Sequence, residues 1–406
     1  MKVLSKSVFL LVLPLSLASL FGCNKSIKYY SEIKNPAPYL HEITYENYEE
    51  DVNCETLKTK EESNRGFGCT SIRKNNIYGR NFDYFYTNFP QIVVKMKPKE
   101  GRYKSIGIAH IRNLFENDLL AKEKEKENQH LINIIPNVTL DGINEHGVIC
   151  NMNSVDIFDA GGQIKSTNPG KERLHLYFII RKVLDNAKNA DEAIEVFKKY
   201  DLYTIDPNEG NFHFMIADPQ KTYVIEFYKN NEEEQTSTLL IKEKKEKEQI
   251  LTNFYTNFTR EMIDKTYPID YKGDKTCHNN ASGVERYNYV LDRYKDINNV
   301  ASMQNILKEL KYTNAVSNPN TPIWPSEDYD QMEIYSHKGE EEPQYEFYEE
   351  HYQIARFVLD NKRRDLGIST DVWTTRHSSV YDIEKKELYL NAEEDYTNTY
   401  SYNLNF

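Results

Sequence analysis

A cysteine preceded by glycine opens a run that is confined to a tight hairpin. Gly68-Cys69-Thr70-Ser71-Ile72 is β-prone, Arg73-Lys74-Asn75-Asn76 is a polar break, and Ile77-Tyr78-Gly79-Arg80-Asn81-Phe82-Asp83-Tyr84 is β-prone again. Two such runs around a short polar turn make a hairpin. The start of its first strand lies beside the end of its second, so Cys69 is expected next to Arg80 and Asp83. A nearby cation makes a thiol a useful thiolate, and a carboxylate holds the base that takes its proton. Taken singly, Cys69 reads as a buried strand cysteine, and Arg80 with Asp83 as a structural ion pair. The combination favours a cysteine nucleophile.

The N-terminus reads as a targeting segment and is set aside from fold reasoning. Lys2 and Lys6 give a basic start, residues 8–20 are apolar but short for a bilayer span, and Leu20-Phe21-Gly22-Cys23 follows. A small residue and then cysteine after such a run resembles a bacterial lipoprotein signal, which implies lipid on Cys23 and export to a bacterial membrane. Phe21 is bulkier than usual for that signal, and the alternative is an ordinary secretory signal. The net charge of -12 argues against nucleic acid as a partner, which would need a basic face. The remaining cysteines, Cys54, Cys69, Cys150 and Cys277, contain no C-x-x-C and build no zinc pattern. Outside the cytoplasm Cys54 can pair with Cys277 or Cys150; Cys69 is expected to stay free.

Residues 24–40 read as a polar tether and 41–68 as an acidic propeptide packed over the site. Residues 91–97 and 104–111 read as strands that continue the hairpin into a sheet, and 148–152 as a strand after the turn Asn144-Glu145-His146-Gly147. Apolar residues recur at helical spacing over 172–187 and 190–200, giving one helix pair. Residues 212–217 and 222–227 form a strand pair around Asp218-Pro219-Gln220-Lys221. Residues 282–294 and 300–310 form a second helix pair, 312–350 an irregular excursion, and 370–382 and 387–390 closing strands. This alternation suggests sheets layered between helices.

Further polar landmarks are Asp141-Gly142-Ile143-Asn144-Glu145-His146-Gly147, Leu251-Thr252-Asn253, and Gly283-Val284-Glu285-Arg286-Tyr287 at a helix start. Strand-end asparagines offer amide donors to an oxyanion, and an arginine at a helix start aims its guanidinium at a thiolate or carboxylate. Asn253 alone reads as a strand-end cap, with Asn257 a competitor that lacks the preceding Leu-Thr. Asn144 and Gly147 read as turn residues, and Cys150 as a packed strand residue. His146 and His213 suggest a papain-like pairing, but no papain-type signature surrounds Cys69.

Cys-Thr-Ser-Ile, then Gly-Arg-Asn-Phe-Asp, Gly-Ile-Asn-Glu-x-Gly, Leu-Thr-Asn, the helix-start arginine, and Trp373 before Ser378-Ser379-Val380-Tyr381-Asp382 occur in order from Cys69 to about Tyr389. This series resembles the choloylglycine hydrolase family. The family comprises bile-salt hydrolases, penicillin V acylases and, more distantly, acid ceramidase and N-acylethanolamine acid amidase. The resemblance implies an α+β, four-layer αββα fold of the N-terminal nucleophile hydrolase type. It also implies cleavage of a linear, non-peptide amide in a small N-acyl substrate such as a bile salt, penicillin V or a fatty N-acyl amide, without metal or organic cofactor. Its residue roles are Cys69 as nucleophile after cleavage at Gly68, Arg80 beside the thiolate, and Asp83 holding the freed α-amino group. Asn253 is the oxyanion donor, and Arg286 stabilises the thiolate from the far side. Counting from Asn-Glu-x-Gly lands the remaining oxyanion position on Ser154 without a gap or Asn153 with one. The hairpin loop is shorter than in bile-salt hydrolases.

The chemistry is consistent with those roles. A free α-amine has a pKa near ~8 and can take a thiol proton around neutral pH, so no catalytic histidine is needed. Gly68 leaves its carbonyl unobstructed for attack by the Cys69 thiol. The expected organisation is a lipoprotein signal peptide over 1–22, tether and propeptide over 23–68, and the hydrolase domain over 69–406. A homo-oligomer is left open. The reading from another class is a non-catalytic surface lipoprotein that keeps the fold to bind ligands or partners.

Overall fold

The computed structural model describes residues 28–37, 40–48, 68–85, 90–111, 119–155, 164–204, 212–229, 234–257, 262, 284–311, 373–393 and 395–406. The expectations for Cys23, Cys54, Cys277 and the 312–350 excursion lie outside the described residues. The strands are β1 (Tyr30–Ala37), β2 (Leu40–Tyr48), β3 (Gly68–Lys74), β4 (Ile77–Phe85), β5 (Gln91–Pro98), β6 (Ser105–His110), β7 (Thr139–Asn144), β8 (Ile149–Ser154), β9 (Glu172–His175), β10 (Tyr200–Tyr203), β11 (Phe212–Ala217), β12 (Thr222–Tyr228), β13 (Thr238–Glu243), β14 (Ile250–Leu251), β15 (Trp373–Asp382), β16 (Glu387–Ala392) and β17 (Tyr400–Asn403). The helices are α1 (Gln129–Ile134), α2 (Ile179–Asn186), α3 (Ala190–Lys199), α4 (Val284–Arg293) and α5 (Val300–Glu309).

A nine-stranded sheet runs β1-β2-β5-β6-β7-β8-β11-β12-β13 and a six-stranded sheet runs β14-β3-β4-β15-β16-β17. Period-two alternation assigns each face. On β8, Ile149 joins the layer between the sheets, whereas Cys150 and Met152 pack towards α2 and α3. The inter-sheet layer is completed by Val93, Ile106, Ile143 and Met215 from one sheet and Tyr78, Tyr381, Leu388 and Leu390 from the other. On the far face of the six-stranded sheet, Ile72 and Val380 meet Val290, Met303 and Leu307 of α4 and α5. The order is helices, sheet, sheet, helices, so the expected αββα architecture is borne out. The helix against β4 sits so close that a Cβ on Gly79 would lie 2.6 Å from the Met303 side chain.

Three expectations need correction. Residues 30–48, read as tether and propeptide, are strands of the nine-stranded sheet, with β2 parallel to β5 from Leu40 opposite Gln91 to Tyr48 opposite Pro98. Their charges face outward while Leu40, Ile43, Tyr45 and Tyr48 are buried, so the acidic composition hid an amphipathic strand. β5 and β6 belong to that sheet and do not extend the Cys69 hairpin. The helix expected from residue 172 begins only at Ile179, because β9 pairs in parallel with β10. The remaining helices and the strand pair β11–β12 fall where the periodicity placed them.

Candidate active site

The hairpin forms as expected, with Cys69 opposite Phe82 and Gly68 opposite Asp83. Strand parity divides the labour between its polar residues. Arg80 points into the inter-sheet layer with Cys69, and its Nη2 lies 3.6 Å from Sγ. Asp83 is on the opposite face, where it accepts from the Thr375 hydroxyl at 2.6 Å and lies 3.7 Å from Arg286. Arg80 is anchored by Asp141 at 2.5 Å and by the Met152 carbonyl at 2.7 Å.

Arg286 enters from α4. Its Nη1 donates to the Cys69 carbonyl at 2.6 Å and to Thr70 Oγ1 at 3.1 Å, and Nη2 donates to Asn253 Oδ1. It therefore grips the main chain of Cys69, where the sequence placed it beside the thiolate. Its influence on the sulfur is through its field. Asn253 Oδ1 accepts from the Cys69 backbone N–H at 3.1 Å, and its Nδ2 donates to the Ser154 carbonyl at 2.7 Å.

As with Asn253, Asn153 joins the cluster with its side-chain amide engaged by main-chain carbonyls. Its Nδ2 donates to the Leu251 and Thr252 carbonyls at 3.1 and 3.4 Å, while Oδ1 accepts from Ser71 and Asn151. The side chain fastens β8 to β3 and the end of β14, because residues 151 and 153 share the face of β8 turned to the six-stranded sheet. Ser154 contributes a carbonyl to Asn253. His213 bonds the Thr252 carbonyl through Nε2 at 2.8 Å. Asn144 and Gly147 serve the turn: Asn144 Oδ1 accepts from the backbone of His146 and Val148, and Gly147 has a φ of 80°. Cys69 and Cys150 are both free and buried.

With Gly68 still joined to it, the Cys69 thiol is pushed up to about 11. Burial is the largest cause, and the Asp83 charge adds to it. Arg80, the Asp83 backbone N–H and Arg286 pull the other way. Asp141, which burial alone would raise, is held down at about 2 by Arg80, His377 and Tyr381. Asp141, His377 and Thr375 were not singled out from the sequence. Asp141 lay inside a segment read as leading to a turn, and the β15 residues signal nothing until their register against β4 is known. Among the described residues no group of His, Cys, Asp and Glu is arranged to hold a metal ion.

The family profile described as acyl-coenzyme A:6-aminopenicillanic acid acyl-transferase matches residues 71–314, more than half of the chain. The chain belongs to this family, and the kinship expected from the ordered motifs is borne out. Among curated proteins, no sequence matches. Solved structures that resemble the chain include a mutant conjugated bile acid hydrolase from Clostridium perfringens, with 14% identity and a TM-score of 0.40, covering 83% of this chain and 92% of that one. Another is penicillin V acylase from Agrobacterium tumefaciens, with 13% identity and a TM-score of 0.34, covering 82% and 84%.

Proposed function

We propose that the protein is a cysteine N-terminal nucleophile hydrolase that cleaves a linear amide C–N bond in a small N-acyl substrate. The observation that carries this reading is the convergence on Cys69: Arg80 faces the sulfur, while Arg286 and Asn253 hold its carbonyl and backbone nitrogen. Membership of the family supports it.

Cleavage after Gly68 turns the Cys69 backbone nitrogen into an α-amine, which can serve as the base. That amine takes the thiol proton, the thiolate attacks the substrate carbonyl, and Asn253 with a backbone N–H of β8 receives the oxyanion. The proton passes to the departing amine, and water then releases the acyl group from the thioester. In acyl transfer, for which the matched family is named, an amine takes the place of that water after the same thioester. Export and a lipid on Cys23 belong to this reading, supported by the basic, apolar, small-residue-cysteine order of the first 23 residues.

Cys69→Ser tests the reading. It preserves shape but replaces a ready sulfur nucleophile with a hydroxyl that ionises far less easily. A panel of bile-salt, phenoxyacyl and fatty acyl amides is assayed with wild type and variant, alongside circular dichroism and N-terminal sequencing. Wild type is expected to begin at Cys69 and hydrolyse at least one class, and the folded variant to lose that activity sharply. Equal rates from both would remove Cys69 as nucleophile.

A further inference from the structure

We propose that Asp141 and His377 are positioning residues for Arg80: the buried pair, on β7 and β15, holds the guanidinium with one nitrogen turned to the Cys69 sulfur. The proposal rests on the reading of Cys69 as the nucleophile.

Arg80 divides its nitrogens. Nη1 goes to Asp141 Oδ2 and Nη2 to the Met152 carbonyl and Sγ. Asp141 is itself fixed from the other sheet. His377 Nε2 lies 3.1 Å from Oδ2, and the Tyr381 hydroxyl donates to Oδ1. Donors from β4 and β15 thus occupy both carboxylate oxygens, and Arg80, Asp141, His377 and Tyr381 are all fully buried. A buried guanidinium without a fixed counter-charge would turn towards whatever acceptor it could reach, and misplacement by about 1 Å is enough to impair catalysis.

The delivery of His377 is a specific feature of the strand. Register on β15 shifts between Thr375, opposite Asp83, and His377, opposite Phe82. Without that irregularity residues 375 and 377 would share a face. With it, Thr375 serves Asp83 on one side while His377 serves Asp141 on the other. His377 is braced behind by Gln91, whose Oε1 lies 2.8 Å from Nδ1 and whose Nε2 lies 3.2 Å from His110. For a neutral His377 to donate from Nε2 to Asp141, Nδ1 must accept, which puts the Gln91 amide nitrogen on His377 and its oxygen on His110; with the amide turned the other way both ring nitrogens would donate and the ring would be charged. Burial, with Arg80 and Arg376 nearby, keeps the imidazole below its usual range against the pull of Asp141. A neutral ring leaves the Arg80–Asp141 charges balanced. The other titrating groups facing this cluster are Cys69 and Tyr78, both beside Arg80.

The test is the pH profile of Cys69 alkylation by iodoacetamide in the processed protein, with the labelled peptide identified by mass. It uses wild type, His377→Phe, His377→Gln, Arg80→Gln and the Arg80→Gln/His377→Phe double variant. His377→Phe is expected to raise the apparent pKa by about one unit, which is about tenfold slower labelling at a fixed lower pH. His377→Gln, which restores an N–H, should recover most of that loss. The double variant should match Arg80→Gln alone, because the effect passes through Arg80. An additive loss in the double variant, or a wild-type profile in folded His377→Phe, overturns the proposal. If Arg80→Gln itself leaves the profile unchanged, the role of Arg80 at the thiolate falls and the proposal with it, an outcome distinct from the other two. Should His377→Phe fail to fold, Tyr381→Phe removes one donor to Asp141 and keeps the ring. It should shift the profile in the same direction by a smaller amount, and not at all in the Arg80→Gln background; any other result overturns the proposal.

Discussion

Cleavage after Gly68 should leave residues 30–48 bound to the catalytic chain, because they form the edge of its main sheet. Tyr30, Leu40, Ile43, Tyr45 and Tyr48 are buried there. At about 2 kcal/mol per side chain, their burial contributes on the order of 10 kcal/mol gross, part of which the ordering of the segment offsets. Edge-on ring pairs of Tyr45 with Tyr30 and Tyr48 add about 1 kcal/mol each. The Tyr45 hydroxyl donates to the Ile132 carbonyl at 2.7 Å, and Asn137 donates to the Tyr48 hydroxyl at 2.7 Å. Loss of the segment would also leave β5 as an unpaired edge. The perturbation is Tyr45→Ala, expected to cost about 3–5 kcal/mol, as for other large buried aromatics. Native mass measurement of processed wild type should find both pieces in one particle, and denaturing mass measurement should separate them. Tyr45→Ala should release the N-terminal piece at markedly lower urea. A folded, active chain starting at Cys69 with nothing before it would refute the reasoning. Retention also means that a lipid on Cys23 would still tether the catalytic chain after cleavage.

Asn253→Ala should lower kcat by about 3 kcal/mol of transition-state stabilisation, the size of one oxyanion donor, while far-ultraviolet circular dichroism stays close to wild type; a kcat within a few-fold of wild type would assign Asn253 to holding the Cys69 backbone alone. For Asp141 the folded carboxyl, at about 2, lies below its ordinary value of 3.8, so its stabilising contribution is present above pH 4 and lost as pH falls through 2. The stability gap between wild type and Asp141→Asn, measured by urea titration, should therefore narrow from pH 4 down to 2.

What was legible in the sequence was local, and what was hidden depended on register. The hairpin carried its own evidence, since two β-prone runs around Arg73-Lys74-Asn75-Asn76 bring Cys69 beside Arg80 and Asp83; only the register, Cys69 opposite Phe82, shows that alternation sends those two to opposite faces. The helices were legible for the same reason, their apolar spacing being readable within ten residues. β2 was not, because its glutamates mask four buried side chains unless the partner strand is known. Asn153 shows the limit most clearly. Counting left the oxyanion position between Asn153 and Ser154, and no count of residues reveals that strand parity turns the Asn153 amide to Leu251 and Thr252. Asp141 and His377 lie far apart in sequence, on strands of different sheets, and meet only because an extra residue in β15 reverses its alternation after Thr375. A buried ion pair braced by histidine therefore cannot be read from either strand alone. It emerges once the register between β4 and β15 is fixed, and that register places the Arg80 guanidinium beside the thiol.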